Sequence, residues 1–332
     1  MLIDKKVIWL HLLPVIFLLT NLIGLAYPND QTSGRIGQCA SINFEQISWD
    51  TEFTARMPFE FVGRLIAVEA TVDSESGKFI IDTGSSDLLL NAQHFASSST
   101  SLDSRYASST GLVQSIQKTW VDSIVLERIT LTQYAAQVID LTHIEESKKT
   151  KILGIIGFDV IKDFEVFIDY RYRQLILTRL NKKGRRYHRA GIPEIPYDSL
   201  SFNLHRHAII LNATVGNKEL KLHLDTGAEI NLLDRNAPDE VLNNFNILRR
   251  VNMVGMGQEK VEVLAGSLNG VLCGPEMTPP MKTLLTSTDY IRDMTNTRVD
   301  GVLGYEFLQT KRISINYKRK KMYFYKDAIL RP

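Results

Sequence analysis

The chain is poor in the residues that build small, cross-linked or metal-bound folds. Only two of its 332 residues are cysteine, Cys39 and Cys273, far apart and outside any Cys-x-x-Cys or Cys/His cluster. That excludes a disulfide-dense or zinc-stapled scaffold. A single bridge between them is compatible with an oxidising compartment, but geometry decides it. His205 and His207 have a spacing that suits a metal on a strand. No further ligand stands near them in sequence, so no metal and no cofactor is expected. Excess charge is also missing: 39 Lys and Arg against 37 Asp and Glu leave +2, which removes the field a nucleic-acid partner would need. Long helical periodicity is scarce. Beyond the N-terminal run, no stretch approaches the ~20 apolar residues of a membrane-spanning helix.

What remains is ordinary globular composition, 44% hydrophobic and 23% charged, enough for one large or two medium domains. Lys5 and Lys6 precede an apolar run, Val7 to Ile23, and then Gly24-Leu25-Ala26. This is the pattern of a signal peptide over 1–26, cleaved after Ala26, in preference to a retained anchor. It predicts an exported protein, periplasmic or secreted, with no stable membrane insertion after removal. Residues 27–56 read as a lead-in too short for an evident propeptide.

From Met57 the chain is strand-like. Leu65 to Val72 is apolar and β-branched, Asp73 to Gly77 is a turn cluster, and Lys78 to Ile81 is the next strand. That hairpin ends on Phe79-Ile80-Ile81-Asp82-Thr83-Gly84-Ser85-Ser86. The motif returns as Leu222-His223-Leu224-Asp225-Thr226-Gly227-Ala228-Glu229, and Ala70-Thr71-Val72 returns as Ala213-Thr214-Val215 at the same offset of 143 residues. Met57-Pro58-Phe59 is echoed by Ile195-Pro196-Tyr197. Ile152 to Ile161 is echoed around Val302-Leu303-Gly304, and Val166 to Tyr170 by Ile313 to Tyr317. The mature chain therefore reads as two copies of one mostly-β unit, 57–180 and 195–332, joined by a basic linker over 181–194. A short helix is expected after each second glycine, at Asp159 to Lys162 and Glu306 to Gln309.

An acid at the end of an apolar strand is costly unless its oxygens are hydrogen-bonded. Two such acids facing each other share one proton and titrate in separated steps. A pair of this kind can take a proton from a water and give one to a carbonyl oxygen, hydrolysing an amide without a covalent intermediate. Thr83 and Thr226 can bond backbone across the pair. Gly84 and Gly227 allow a tight turn. Gly157 and Gly304 let the loops come close, with Ile155-Ile156 and Val302-Leu303 packed beneath.

These residues resemble the retropepsin-like and pepsin-like aspartic peptidases. Their signature is two apolar residues, Asp-Thr/Ser-Gly-Ser/Ala/Thr, and a later apolar-apolar-Gly. Both halves carry both elements, with His223 as the one departure from an apolar residue. The resemblance implies two tandem closed β-barrel units related by a pseudo-two-fold axis, in a bacterial-type two-repeat form. It implies Asp82 and Asp225 as catalytic residues, supported by Thr83, Gly84, Ser85, Thr226, Gly227 and Ala228. It implies a peptide or protein substrate and a monomer with an internal pseudo-dimer. It also implies flaps over the substrate, for which Thr110 and Gly111 in the first half, and Gly255, Met256 and Gly257 in the second, are the candidates.

One asymmetry is readable. The Ser85 hydroxyl can bond the Asp82 carboxylate, whereas Ala228 offers Asp225 nothing equivalent, so Asp82 is expected to be the ionised member. His223 is expected to be half-buried or at the surface, Asp169 and Asn316 in turns, and Asp87, Glu229 and Asp234 as strand-end decoration. The alternative to an endopeptidase is a non-catalytic peptide-binding or envelope-assembly module on the same fold.

Overall fold

The computed structural model describes residues 53–95, 104–107, 113–187, 192, 194–254 and 260–326. The expected signal segment, Cys39 and most of the lead-in lie outside these residues. Among the described residues no helix is long and apolar enough to cross a membrane.

The molecule is mostly β and is built from three sheets. In the first half, Leu65–Val72 and Glu75–Ile81 form an antiparallel hairpin. The turn is tighter than the sequence cluster implied: only Asp73 and Ser74 separate the strands, and Asp73 takes φ 53°. A two-residue hairpin loop needs that left-handed backbone to match the strand twist. Gly216 takes φ 58° at the same place in the second half, between Ala208–Val215 and Lys218–Leu224.

Glu75–Ile81 then pairs in parallel with Gly154–Ile156, which pairs antiparallel with Leu88–Asn91. Leu88–Asn91 runs parallel to Ile129–Ile139, and that strand pairs antiparallel with Val113–Leu126. Thr71 opposite Val125 and Val72 opposite Ile124 close these six strands into a barrel. The strand ends at its centre are apolar because both faces are covered there: Phe79, Ile80, Ile81, Leu88 and Leu90 are fully buried.

The second half repeats the pairing: Lys218–Leu224 lies parallel to Gly301–Leu303, which is antiparallel to Asn231–Asp234. Here the expected closed barrel is not continuous among the described residues. Thr214 and Val215 pair with a two-residue strand, Val271–Leu272, in place of one long strand. The preceding strand, Lys260–Leu268, stops at Asn269-Gly270, and Gly270 has φ 66°. A left-handed residue cannot continue a strand, so the closing strand is broken in two.

The third sheet joins the halves. Its order is Thr54–Pro58, Gln174–Arg179, Phe164–Asp169, Arg312–Asn316, Lys321–Tyr325, Asp198–Ser201. The central seam is antiparallel, with Phe167 opposite Ser314. Asp169 and Asn316 do hold turns, accepting from the N–H of Tyr172 and of Arg319 at 3.0 Å each. They also cross the seam: Arg312 Nε donates to Asp169 Oδ2 at 2.6 Å, and Asn316 Nδ2 to Glu165 Oε2 at 3.0 Å. Both are buried, so the sequence reading of simple turn residues was incomplete. Cys273 is buried in the main apolar cluster, and burial pushes its thiol up to about 12.

Candidate functional site

Each acidic motif sits where a buried strand runs out. Asp82 follows Glu75–Ile81, and its N–H donates to Ile156 O at 3.1 Å, extending the parallel pairing by one residue. Asp225 N–H does the same to Leu303 O at 3.0 Å. The outgoing limb of each loop is pinned to the short helix that follows the second glycine. Phe158 N donates to Ser85 O at 2.8 Å ahead of Phe158–Ile161, and Tyr305 N to Ala228 O at 2.9 Å ahead of Tyr305–Leu308. The glycines are required by contact. A Cβ on Gly157 would lie 2.7 Å from Ser85 O, and one on Gly304 would lie 2.3 Å from Ala228 O.

The two loops meet, and they do so reciprocally. Thr83 N–H donates to Thr226 Oγ1 and Thr226 N–H to Thr83 Oγ1, each at 3.0 Å. Each hydroxyl then donates onward into the other half, Thr83 Oγ1 to Leu224 O at 3.3 Å and Thr226 Oγ1 to Ile81 O at 2.8 Å. Gly84 N–H holds Asp82 Oδ1 at 2.7 Å, and Gly227 N–H holds Asp225 Oδ1 at 2.8 Å. Each glycine also faces the opposite acid: a Cβ on Gly84 would lie 2.6 Å from Asp225 Oδ1, and one on Gly227 2.6 Å from Asp82 Cγ. Both carboxyls are fully buried, and neither Oδ2 accepts a hydrogen bond from any group other than the opposite acid among the described residues.

Burial therefore dominates the electrostatics. It raises Asp82 to about 6, against hydrogen bonds from Asp225 and from the Gly84 and Ser85 N–H groups that favour its anion. Asp225 is held well above the ordinary carboxylate range by burial and then by the charge of Asp82. Both acids are thus held above the ordinary carboxylate range, Asp225 the more strongly. The direction agrees with the sequence reading, but the cause does not. Ser85 Oγ donates to the Asp87 carbonyl at 3.3 Å, not to the Asp82 carboxylate. Ser85→Ala is therefore expected to leave the acid limb of any activity profile unmoved, measured as kcat/KM against pH. A shift of that limb would restore the hydroxyl to the account.

Two buried tyrosines sense the pair. Burial raises Tyr317, and Asp82 and Asp225 add to it; burial, Tyr305 and Asp225 raise Tyr170. They are counterparts in the repeat, which was the available signal for them. Ala228 is buried in the second half's apolar cluster with Ile230 and Met253. Thr110, Gly111, Gly255, Met256 and Gly257 lie outside the described residues. The strands on either side of both tips do pair antiparallel, with Ala107 opposite Val113 and Val254 opposite Lys260.

Two residues, His223 and Glu229, sit differently from the sequence expectation, and His207 is buried beside the first acidic loop. His223 is fully buried, and burial lowers it to about 3, so it is a neutral core residue and not a surface one. His207 is buried with Nε2 2.9 Å from Gly84 O. Glu229 does not decorate a strand end. It is buried and accepts from Lys148 Nζ at 2.7 Å on both oxygens, and from Arg64 N at 2.9 Å. Arg64 Nη1 also reaches Glu306 Oε1 at 2.6 Å. This charged knot ties the first half to the loop that follows Asp225. Nothing in the spacing announces it, because its four members come from four separate elements. Lys148 and Glu229 are only 8% and 3% exposed, so removing one strands the other in low dielectric. Glu229→Ala is expected to destabilise by ~3 kcal/mol, read as a drop in the urea midpoint, and adding Lys148→Met should recover part of it.

Residues 68–160 match the model of a family described as aspartyl protease. The matched stretch holds Asp82, Thr83 and Gly84 together with Ile155, Ile156 and Gly157, and the first half is therefore similar to an aspartyl protease. Asp225 and its loop lie outside it. No curated protein matches the chain.

Proposed function

We propose that the protein is an exported aspartic endopeptidase in which Asp82 and Asp225 form one catalytic dyad within a single chain. The observation that supports this reading is the reciprocal bonding of Thr83 and Thr226, beside two buried carboxyls that each face the other's loop glycine; the reading gives that pair one proton to share. Two retropepsin-like units, 57–180 and 195–332, stand in tandem about a pseudo-two-fold axis through that point. The antiparallel seam between Phe164–Asp169 and Arg312–Asn316 supports an intrachain pair, because it joins the halves through backbone.

The chemistry follows from the protonation pattern. Ionised Asp82 takes a proton from water as the water oxygen bonds to the peptide carbonyl carbon, and Asp225 gives its proton to the carbonyl oxygen. Collapse of the resulting gem-diol returns a proton to Asp225, and Asp82 passes its proton to the leaving nitrogen. Substrate is a peptide or protein; neither nucleic acid nor a membrane is a partner. The 1–26 segment directs export to the periplasm or beyond.

The test is cleavage of a peptide library across pH, with a statine-type mimic of the gem-diol as inhibitor. Hydrolysis that the mimic blocks, with specific activity constant on dilution, is expected. A rate that falls with the square of concentration would instead mean that the acids pair between chains. Ligand capture without cleavage would favour the peptide-binding alternative.

A further inference from the structure

His207 belongs to the turn between Asn203–His205 and Ala208–Val215 in the second half, yet its imidazole ends on the first half's acidic loop. Nε2 is 2.9 Å from the carbonyl oxygen of Gly84. A carbonyl only accepts, so Nε2 carries the proton. Burial lowers the ring's proton affinity. The Gly84 bond, Asp87 and Asp159 favour the cation, and Arg206 opposes it. Buried His223, held neutral, is its other titratable neighbour. Burial thus disfavours the His207 cation, and the Gly84 bond sets the tautomer.

The peptide that accepts this bond is the one between Gly84 and Ser85. Its other end, the Ser85 N–H, donates to the main-chain carbonyl of Asp82 at 3.3 Å, while the N–H of Gly84 itself donates to the Asp82 carboxylate at 2.7 Å; both N–H groups favour the Asp82 anion. A donor on the carbonyl of a peptide polarises its N–H, and successive bonds strengthen one another by on the order of 10–30% each. The arrangement is thus a short chain: imidazole N–H to the Gly84 carbonyl, then Ser85 N–H to the Asp82 main-chain carbonyl, with the Gly84 N–H of the same turn on the carboxylate. Among the described residues, the other charged or titratable groups that bear on Asp82 are Asp225 and Tyr317.

The second loop is held in another way. The 143-residue offset pairs His207 with Arg64, and the strand registers agree, since Glu60 faces Ala67 as Asn203 faces Ile210. Arg64 also crosses to the other half's loop. Its guanidinium, however, donates to Glu229 O at 3.2 Å and to Glu306, farther along the chain than the glycine beside Asp225. The two halves thus send the same turn across the interface, and only one of these residues grips the peptide next to its acid.

We infer that His207 is a positioning residue, which from the second half holds the Gly84–Ser85 peptide so that the first loop favours an anion and Asp82 becomes the base of the pair. This rests on the proposed dyad, but it can be read without hydrolysis. The full chain, labelled with 13C at the aspartate carboxyls, is titrated by NMR, and Asp82→Asn and Asp225→Asn assign the two resonances. In His207→Phe the lower step of the pair is expected to move to higher pH, by on the order of threefold in proton affinity. In His207→Gln, whose amide N–H reaches the same carbonyl, it should return to the wild-type position. His207→Met, unbranched and adaptable, replaces the Phe variant if that chain does not fold.

A lower step that stays in place in a folded His207→Phe or His207→Met chain overturns the inference. So does a Gln variant that titrates like Phe. A histidine that only fills space would lower the melting temperature without moving the titration. If the wild type cleaves no peptide and the shift is present, the peptidase reading falls and the positioning role stands. If peptides are cleaved and the shift is absent, the reverse holds.

Discussion

Asp82→Asn and Asp225→Asn are each expected to lower peptide hydrolysis by at least the 10²–10⁴-fold that a positioned proton donor or acceptor supplies, while the fold persists. Each amide oxygen can keep the bond that Oδ1 accepts from the loop glycine, at 2.7 Å in the first loop and 2.8 Å in the second. Each amide nitrogen takes the place of an Oδ2 that accepts nothing from any group other than the opposite acid among the described residues. What is lost is the exchangeable proton, so the chemistry stops and the packing does not.

The same substitutions carry a stability signature. Both acids have folded values raised above the usual ~3.9 of an unfolded aspartate, Asp82 to about 6 and Asp225 further. The native state therefore binds protons that the unfolded state has released. Its stability is full below about pH 4, falls as pH rises through about 6, and falls further as Asp225 is forced to ionise. Asn does not titrate. Asp225→Asn should thus melt close to the wild type at pH 3 and above it at pH 8. Thermal melts at the two pH values check this. Equal melting of the two chains at pH 8, or hydrolysis that survives either substitution, would sink the shared-proton account.

Gly84→Ala and Gly227→Ala should cost nearly as much activity through geometry alone. The added Cβ would stand 2.6 Å from Asp225 Oδ1 or from Asp82 Cγ, closer than any carbon and oxygen or carbon pair sits without displacement. The carboxyls cannot yield freely, since each is tied to its own loop and both loops are tied together through Thr83 and Thr226. Overpacking of this kind costs ~1–3 kcal/mol, and a displacement of about 1 Å at the reacting groups costs on the order of 10²-fold in rate. The effect has a crossed signature. Gly84→Ala should disturb the titration of Asp225 first, and Gly227→Ala that of Asp82. Carboxyl NMR of the two variants separates this from general unfolding, which would move both together.

Much of this was legible in the chain. The repeated apolar strand ending in Asp-Thr-Gly, and the later apolar-apolar-Gly, imposed the parallel pairing of Ile80 with Ile155 and of Leu224 with Leu303. A strand buried on both faces must be an unbroken apolar run, and such runs are visible in sequence. Other features were not legible. The Glu229–Lys148–Arg64–Glu306 knot joins residues distant in the chain, and each member alone has the spacing of a surface charge. The break at Asn269-Gly270, which keeps the second ring from closing as the first does, looks like any other turn.

The local sequence by itself determined where the two acids stand: each at the mouth of a buried strand, each with a threonine and a glycine behind it. It could not determine which of them keeps the proton. Ser85 against Ala228 was the visible difference, and that hydroxyl turns to Asp87. Burial raises both acids alike; on the proposed positioning role they are separated by what the opposite half brings to each loop, His207 to Gly84 in one and Arg64 to Glu229 in the other. These are contacts over 123 and 165 residues of chain. Proton affinity depends on the dielectric and donors within a few ångströms, and only folding decides what those are.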